Sequence, residues 1–140
     1  MSDRVTRALL VSLGLLGAAG IALGAFGAHA LADTLAARGL ENAWETAVLY
    51  HLVHVVAALC VVGAGVFADQ PLGRGIVIAW LAGIVLFSGS LYGIALGGPR
   101  WLGPVTPLGG LAFIAGWLAL AVAALRARPR SAQSPPAAGA

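Results

Sequence analysis

Charges are rare in this 140-residue chain, and the gaps between them limit what it can fold into. Arg7 and Asp33 enclose 25 uncharged residues, Glu45 and Asp69 enclose 23, and the intervals Arg74–Arg100 and Arg100–Arg126 enclose 25 each. A helix crosses the hydrocarbon core of a bilayer with about 20 mostly apolar residues. In lipid, a single chain segment satisfies its own backbone only as a helix. Four windows of this length predict an all-α protein, an integral membrane four-helix bundle with spans near 8–31, 42–67, 75–96 and 107–125. Composition removes the soluble alternative. Hydrophobic residues make up 60% of the chain and charged residues 9%, where soluble domains carry about 25% charge. Four helices of a soluble bundle would need polar faces to meet water, and these windows have none.

Residues 1–125 are therefore read as one transmembrane domain. Residues 126–140 are rich in Pro, Ser and Ala and carry Arg126, Arg128 and Arg130, which predicts a disordered basic tail. With four spans, both termini and the 69–74 loop share one side, and six of the eight Arg residues lie there. Only Arg38 and Arg100 lie opposite, so both termini are expected in the cytoplasm. The scattered Arg residues form no stripe suited to nucleic acid. The implied partners are the lipid bilayer, whose anionic headgroups attract the tail, and other membrane proteins or a second copy of the chain.

The first span begins like a signal peptide, with Arg4 and Arg7 before an apolar run and Ala28-His29-Ala30 after it. The run from Ala8 is longer than the ~7–15 residues of a signal h-region. It also carries Gly14, Gly17, Gly20, Gly24 and Gly27, a small-residue stripe suited to close helix packing. A retained helix is expected.

The second span holds the most distinctive polar pair, His51 and His54, with Tyr50 beside them. Asn42 and Glu45 have capping-box spacing, which starts the helix at Asn42 and places Trp44 at headgroup depth. Glu41 and Glu45 read as a solvated helix start rather than a catalytic pair. Ala47, His51, His54, Ala58 and Gly65 share one face, predicted to pack inward. Val48, Leu49, Leu52, Val55, Val56, Leu59 and Val66 share the lipid-facing side. Three readings compete for the histidines: interhelical hydrogen bonding, a proton or ligand role, and metal ligation. A metal site needs further ligands, and only His29 and the lone Cys60 remain. Hydrogen bonding is the expectation. His54 should meet polar groups of the third span, Ser88, Ser90 or Tyr92, while His51 lies closer to the interface and to water.

In the third span Gly89 and Gly93 have the spacing of a helix-packing pair. In the fourth, Thr106 and Pro107 read as N-cap and first helical residue. The candidate intramembrane polar cluster is thus His29, Tyr50, His51, His54, Ser88, Ser90 and Tyr92. The candidate packing residues are Gly17, Gly20, Gly24, Gly27, Gly89 and Gly93. No catalytic, cofactor-binding or metal-binding set is complete.

Four motifs, Gly24-Ala25-Phe26-Gly27-Ala28-His29, Tyr50-x-x-x-His54, Leu86-Phe87-Ser88-Gly89-Ser90-Leu91-Tyr92 and Thr106-Pro107-Leu108-Gly109-Gly110 with Gly116-Trp117, resemble the YgdD/YwdK-like family. That is a domain-of-unknown-function family of small bacterial inner-membrane proteins with relatives in eukaryotes. The resemblance spans roughly residues 8–125 and implies a multi-pass protein of the bacterial plasma (inner) membrane. In that family the position of His51 is often Gln, so the resemblance favours hydrogen bonding over metal ligation there. It brings no catalytic residues. The expected function is that of a non-enzymatic accessory or structural membrane component. The alternative is a small transporter or channel using His51 and His54 in the bundle interior.

Overall fold

The computed structural model describes residues 3–65 and 71–126. The expected tail from residue 127 onward, and the expected end of the second span at residues 66–67, lie outside the described residues. Six α-helices run through the rest: α1 (Asp3–Ala28), α2 (Ala32–Arg38), α3 (Glu41–Gly63), α4 (Pro71–Gly83), α5 (Gly89–Ala95) and α6 (Leu102–Arg126). A π-helical segment, Ile84–Ser88, joins α4 to α5 in one continuous rod. Among the described residues, four helical stretches are long and apolar enough to cross a membrane: Arg4–Ala28, Glu41–Gly63, Leu72–Ala95 and Leu102–Arg126.

Between helices in lipid there is little hydrophobic drive, and close packing has to hold them together. This chain does so by seating large side chains over glycines. Along the antiparallel α1–α3 pair, Gly17, Gly20, Gly24 and Gly27 face Val55, Leu52, Val48 and Trp44. At Gly20 a Cβ would fall 2.7 Å from the Leu52 side chain, and at Gly27 it would enter the Trp44 indole. The third span and α6 interlock in alternating sense. Trp80 lies over Gly116, Phe113 over Gly83, and the backbone of Phe87 against Gly109. Gly93 continues the row beneath Leu102, whereas Gly89 meets only the Ile84 carbonyl oxygen, 3.9 Å from where a Cβ would stand. Trp80, Phe113, Ile84 and Val55 form one buried core with Leu13 of α1.

Several local expectations change. Between the first two spans Ala32–Arg38 forms α2, closed by Gly39 at φ 64, a left-handed cap that suits glycine. α3 starts at Glu41 rather than Asn42, and no side chain caps it. Trp44 packs against the first span and is 2% exposed, because its indole covers Gly27 and its Nε1–H donates to the Leu23 carbonyl at 3.0 Å. α6 begins at Leu102, so Pro107 lies inside the helix rather than at its start. A proline there forfeits its bond to the carbonyl four residues back, that of Gly103. Val55, assigned to the lipid side, is buried over Gly17.

The two connections opposite the termini are stapled together. Arg38 Nη1 donates to the Ala95 carbonyl at 2.9 Å, at the end of α5. The guanidinium also lies against Gly97, whose φ of 90° and missing side chain leave it room. A cation at a helix C-terminus complements the unpaired carbonyls and the helix dipole.

Candidate functional site

His54 projects from α3 into an aromatic box at the middle of the bundle and is 3% exposed. Phe113 of α6 stacks flat on it, with centroids 3.6 Å apart and planes 11° apart. Trp80 and Trp117 present edges at 6.2 and 6.1 Å. Tyr50 closes the near side at 6.0 Å. The ring's protonation follows from its partners. Nδ1 lies 2.7 Å from the Tyr50 carbonyl, which can only accept, so Nδ1 carries the hydrogen. Nε2 lies 3.1 Å from Trp117 Nε1, which can only donate, so Nε2 is the acceptor. Both ring nitrogens are thereby used in one neutral tautomer.

His51 occupies a different niche, between α1 and α5. It is 4% exposed, not open to water or headgroups. Tyr92 Oη stands 3.4 Å from its Nδ1, and Tyr92 in turn packs on Trp44 at 4.8 Å. His51 Nε2 is buried without a hydrogen-bond partner. Contrary to the expectation from depth, it is His51 that meets a polar group of the third span, while the hydrogen-bond partner of His54 comes from α6. Three residues along a helix separate the two rings by about 4.5 Å of rise and about 60° of turn, and on the shared inner face they enter different interfaces.

Ser90 and Thr106 tie α5 to α6. Ser90 Oγ lies 2.9 Å from the Phe87 carbonyl and 2.7 Å from Thr106 Oγ1, which has the Leu102 carbonyl of its own helix at 3.4 Å. Ser88, wholly buried at the end of the π segment, has no hydrogen-bond partner for its Oγ. His29 stands exposed in the turn after α1 and does not join the cluster. So the seven candidate polar residues divide: Tyr50 and His54 in the aromatic box, His51 and Tyr92 near α1, Ser90 on α5 bonded to Thr106 of α6, and Ser88 and His29 apart from all three. Trp117, Phe113 and Trp80, which complete the box, were not among the site candidates. Aromatic residues on three apolar helices carry no mark of a shared site until the order of helices is known. Among the described residues no group of three or more His, Cys, Asp or Glu side chains could hold a metal ion.

Beside the box a groove of about 520 Å³ runs between α3 and α6. Tyr50, His54, Phe87, Gly110, Phe113 and Trp117 line it. Its rims, Leu49 and Ile114, are 59% and 56% exposed, so it opens sideways toward lipid.

A fold of four apolar helices, each long enough to span a bilayer, defines a multi-pass integral membrane protein. A family model described as a protein of unknown function (DUF423) matches residues 23–110. The UPF0382 membrane protein YwdK of Bacillus subtilis is 44% identical over 110 residues, covering 76% of this chain and 86% of that protein. The UPF0382 inner membrane protein YgdD of Escherichia coli is 39% identical over 127 residues, covering 86% and 92%. A UPF0382 membrane protein of Haemophilus influenzae is 38% identical over 109 residues, covering 77% and 86%. This chain belongs to the DUF423 family, and it is a multi-pass protein of the bacterial inner membrane. No solved structure matches it.

Proposed function

We propose that this protein is a non-enzymatic accessory component of the inner membrane, acting by binding other membrane proteins. The observation that carries this reading is the closure of His54. Its two nitrogens are engaged by the Tyr50 carbonyl and the Trp117 indole, and Phe113 covers its face. A transport site needs a polar group free to exchange a proton or ligand with a water-filled path. Here the most deeply placed titratable ring is spent on holding α3 to α6. No nucleophile–base pair appears among the residues around it, which argues against catalysis.

The orientation belongs to the same proposal, with both termini cytoplasmic. Of the two Arg residues on the opposite side, Arg38 has a structural task at the Ala95 carbonyl. Its position there is explained without reference to the charge rule. A tag after residue 140 should be open to protease in sealed inside-out vesicles, and protection would overturn the orientation. The accessory role is tested by extraction from native membranes in mild detergent, affinity capture and mass spectrometry. Stoichiometric recovery of another membrane protein is the expected result. Recovery of the chain alone, as a monomer, overturns it.

A further inference from the structure

We infer that the groove between α3 and α6 is a binding site for a neutral, planar, lipid-soluble hydrogen-bond acceptor, of which a prenylated quinone is the natural class. The inference concerns a small ligand and stands apart from the accessory reading.

The position of the groove comes first. Tyr50 and His54 flank the midpoint of α3, and Phe113 lies at the midpoint of α6. With its rims exposed to lipid, the groove is entered from the hydrocarbon, so its occupant has to be dissolved there. The lining comes next. The chain has ten Phe, Trp and Tyr residues, and four of them, Tyr50, Phe87, Phe113 and Trp117, line this one groove. An acyl chain gains contact from any aliphatic wall. Flat aromatic walls instead favour a flat occupant, through offset or edge-to-face ring contacts.

The polar atoms then select the chemistry. His54 and Trp117 have already spent their nitrogens on each other and on the Tyr50 carbonyl. Tyr50 is different. The residue is 42% exposed, its ring packs at 5.0 Å on Phe87, and its hydroxyl has no partner among the described residues. A hydroxyl in hydrocarbon without a partner is strongly disfavoured. It has a proton to donate, so the complementary group is an acceptor such as a ring carbonyl. No charged side chain lines the groove, so the ligand is neutral. Size agrees as well. A dry cavity of ~150 Å³ admits benzene, and about 520 Å³ holds a substituted ring with the first part of a hydrocarbon tail.

Gly110 provides a blocking variant. A Cβ there would meet only Phe87 Cδ2 at 3.9 Å, an ordinary contact, and the longer side chain of G110L should occupy the groove that Gly110 lines. The test uses the full chain in phosphatidylethanolamine/phosphatidylglycerol nanodiscs, titrated with decylubiquinone while tryptophan fluorescence is followed. Trp117 in the groove should give a saturable quench above the linear collisional background. G110L should remove the saturable part while keeping the melting temperature. Y50F, which keeps the ring, should weaken binding by about five- to tenfold, as expected for loss of one hydrogen bond in a dry site. A purely linear quench, or a saturable one that neither variant alters, overturns the site. Loss of the saturable quench on adding palmitic acid at a concentration equal to the decylubiquinone, or full binding by Y50F, overturns the ligand class.

Discussion

Trp117 on α6 donates its indole N–H to Nε2 of His54 on α3 at 3.1 Å, joining two spans that are not neighbours in sequence. The bond fixes a tautomer as well as a distance, because Nδ1 has to carry the hydrogen that goes to Tyr50. We expect ¹⁵N NMR of histidine-labelled protein in micelles to find His54 neutral with the hydrogen on Nδ1. In W117F that preference should persist, since the Tyr50 carbonyl remains, while the Nε2 resonance shifts. A double-mutant cycle of W117F with H54L should give a coupling of about 0.6–1.7 kcal/mol, the range of hydrogen bonds between membrane helices.

His54→Leu should lower thermal stability in detergent more than His51→Gln. The first change strips the Trp117 N–H of its acceptor and Phe113 of its stacked ring. The second keeps a group able to bond to Tyr92, whose contact with His51 is already long at 3.4 Å. Melting curves of the two variants check this, and equal losses would refute it.

The glycines of α1 are not equivalent. G27A drives a methyl into the Trp44 indole, and overpacking of this kind costs about 1–3 kcal/mol. G116A does the same against Trp80. G14A meets nothing within 4 Å, and should be neutral or stabilising by up to ~1 kcal/mol through helix propensity. Melting temperatures of the three variants should separate in that order, with G14A at or above the parent.

How much of this could be read from sequence follows from how local each feature is. The four spans are legible because Arg, Asp and Glu mark their limits directly. The stripe Gly17, Gly20, Gly24 and Gly27 is legible because helical periodicity brings those positions to one face. The π segment is not, since Ile84-Val85-Leu86-Phe87-Ser88 has no composition that sets it apart from α-helix. Pro107 misleads because proline is at home in a first turn, whereas here the helix already runs from Leu102. The partner of His54 is hidden for a deeper reason. It depends on α6 packing beside α3, an arrangement set by the whole interlocked row of Trp80, Gly83 and Phe87 against Gly116, Phe113 and Gly109.

Arg38 gives a prediction at the other end of the molecule. R38A should free the Ala95 carbonyl and the Gly97 turn, with a loss of at most about 1.5 kcal/mol, the low end for hydrogen bonds to charged groups, because Arg38 is exposed. R38K, which keeps a charge but not the fork, should retain part of that stability. Limited proteolysis near residues 96–101 should be faster in R38A than in the parent, with R38K between them.

The central claim is that the polar interior holds helices together and does not conduct. The most direct test is reconstitution of the full chain in liposomes carrying a pH-sensitive dye, followed by an imposed pH gradient. The account predicts that the gradient decays no faster than in protein-free liposomes, in the parent and in H54L alike. A faster decay in the parent that H54L abolishes would contradict it.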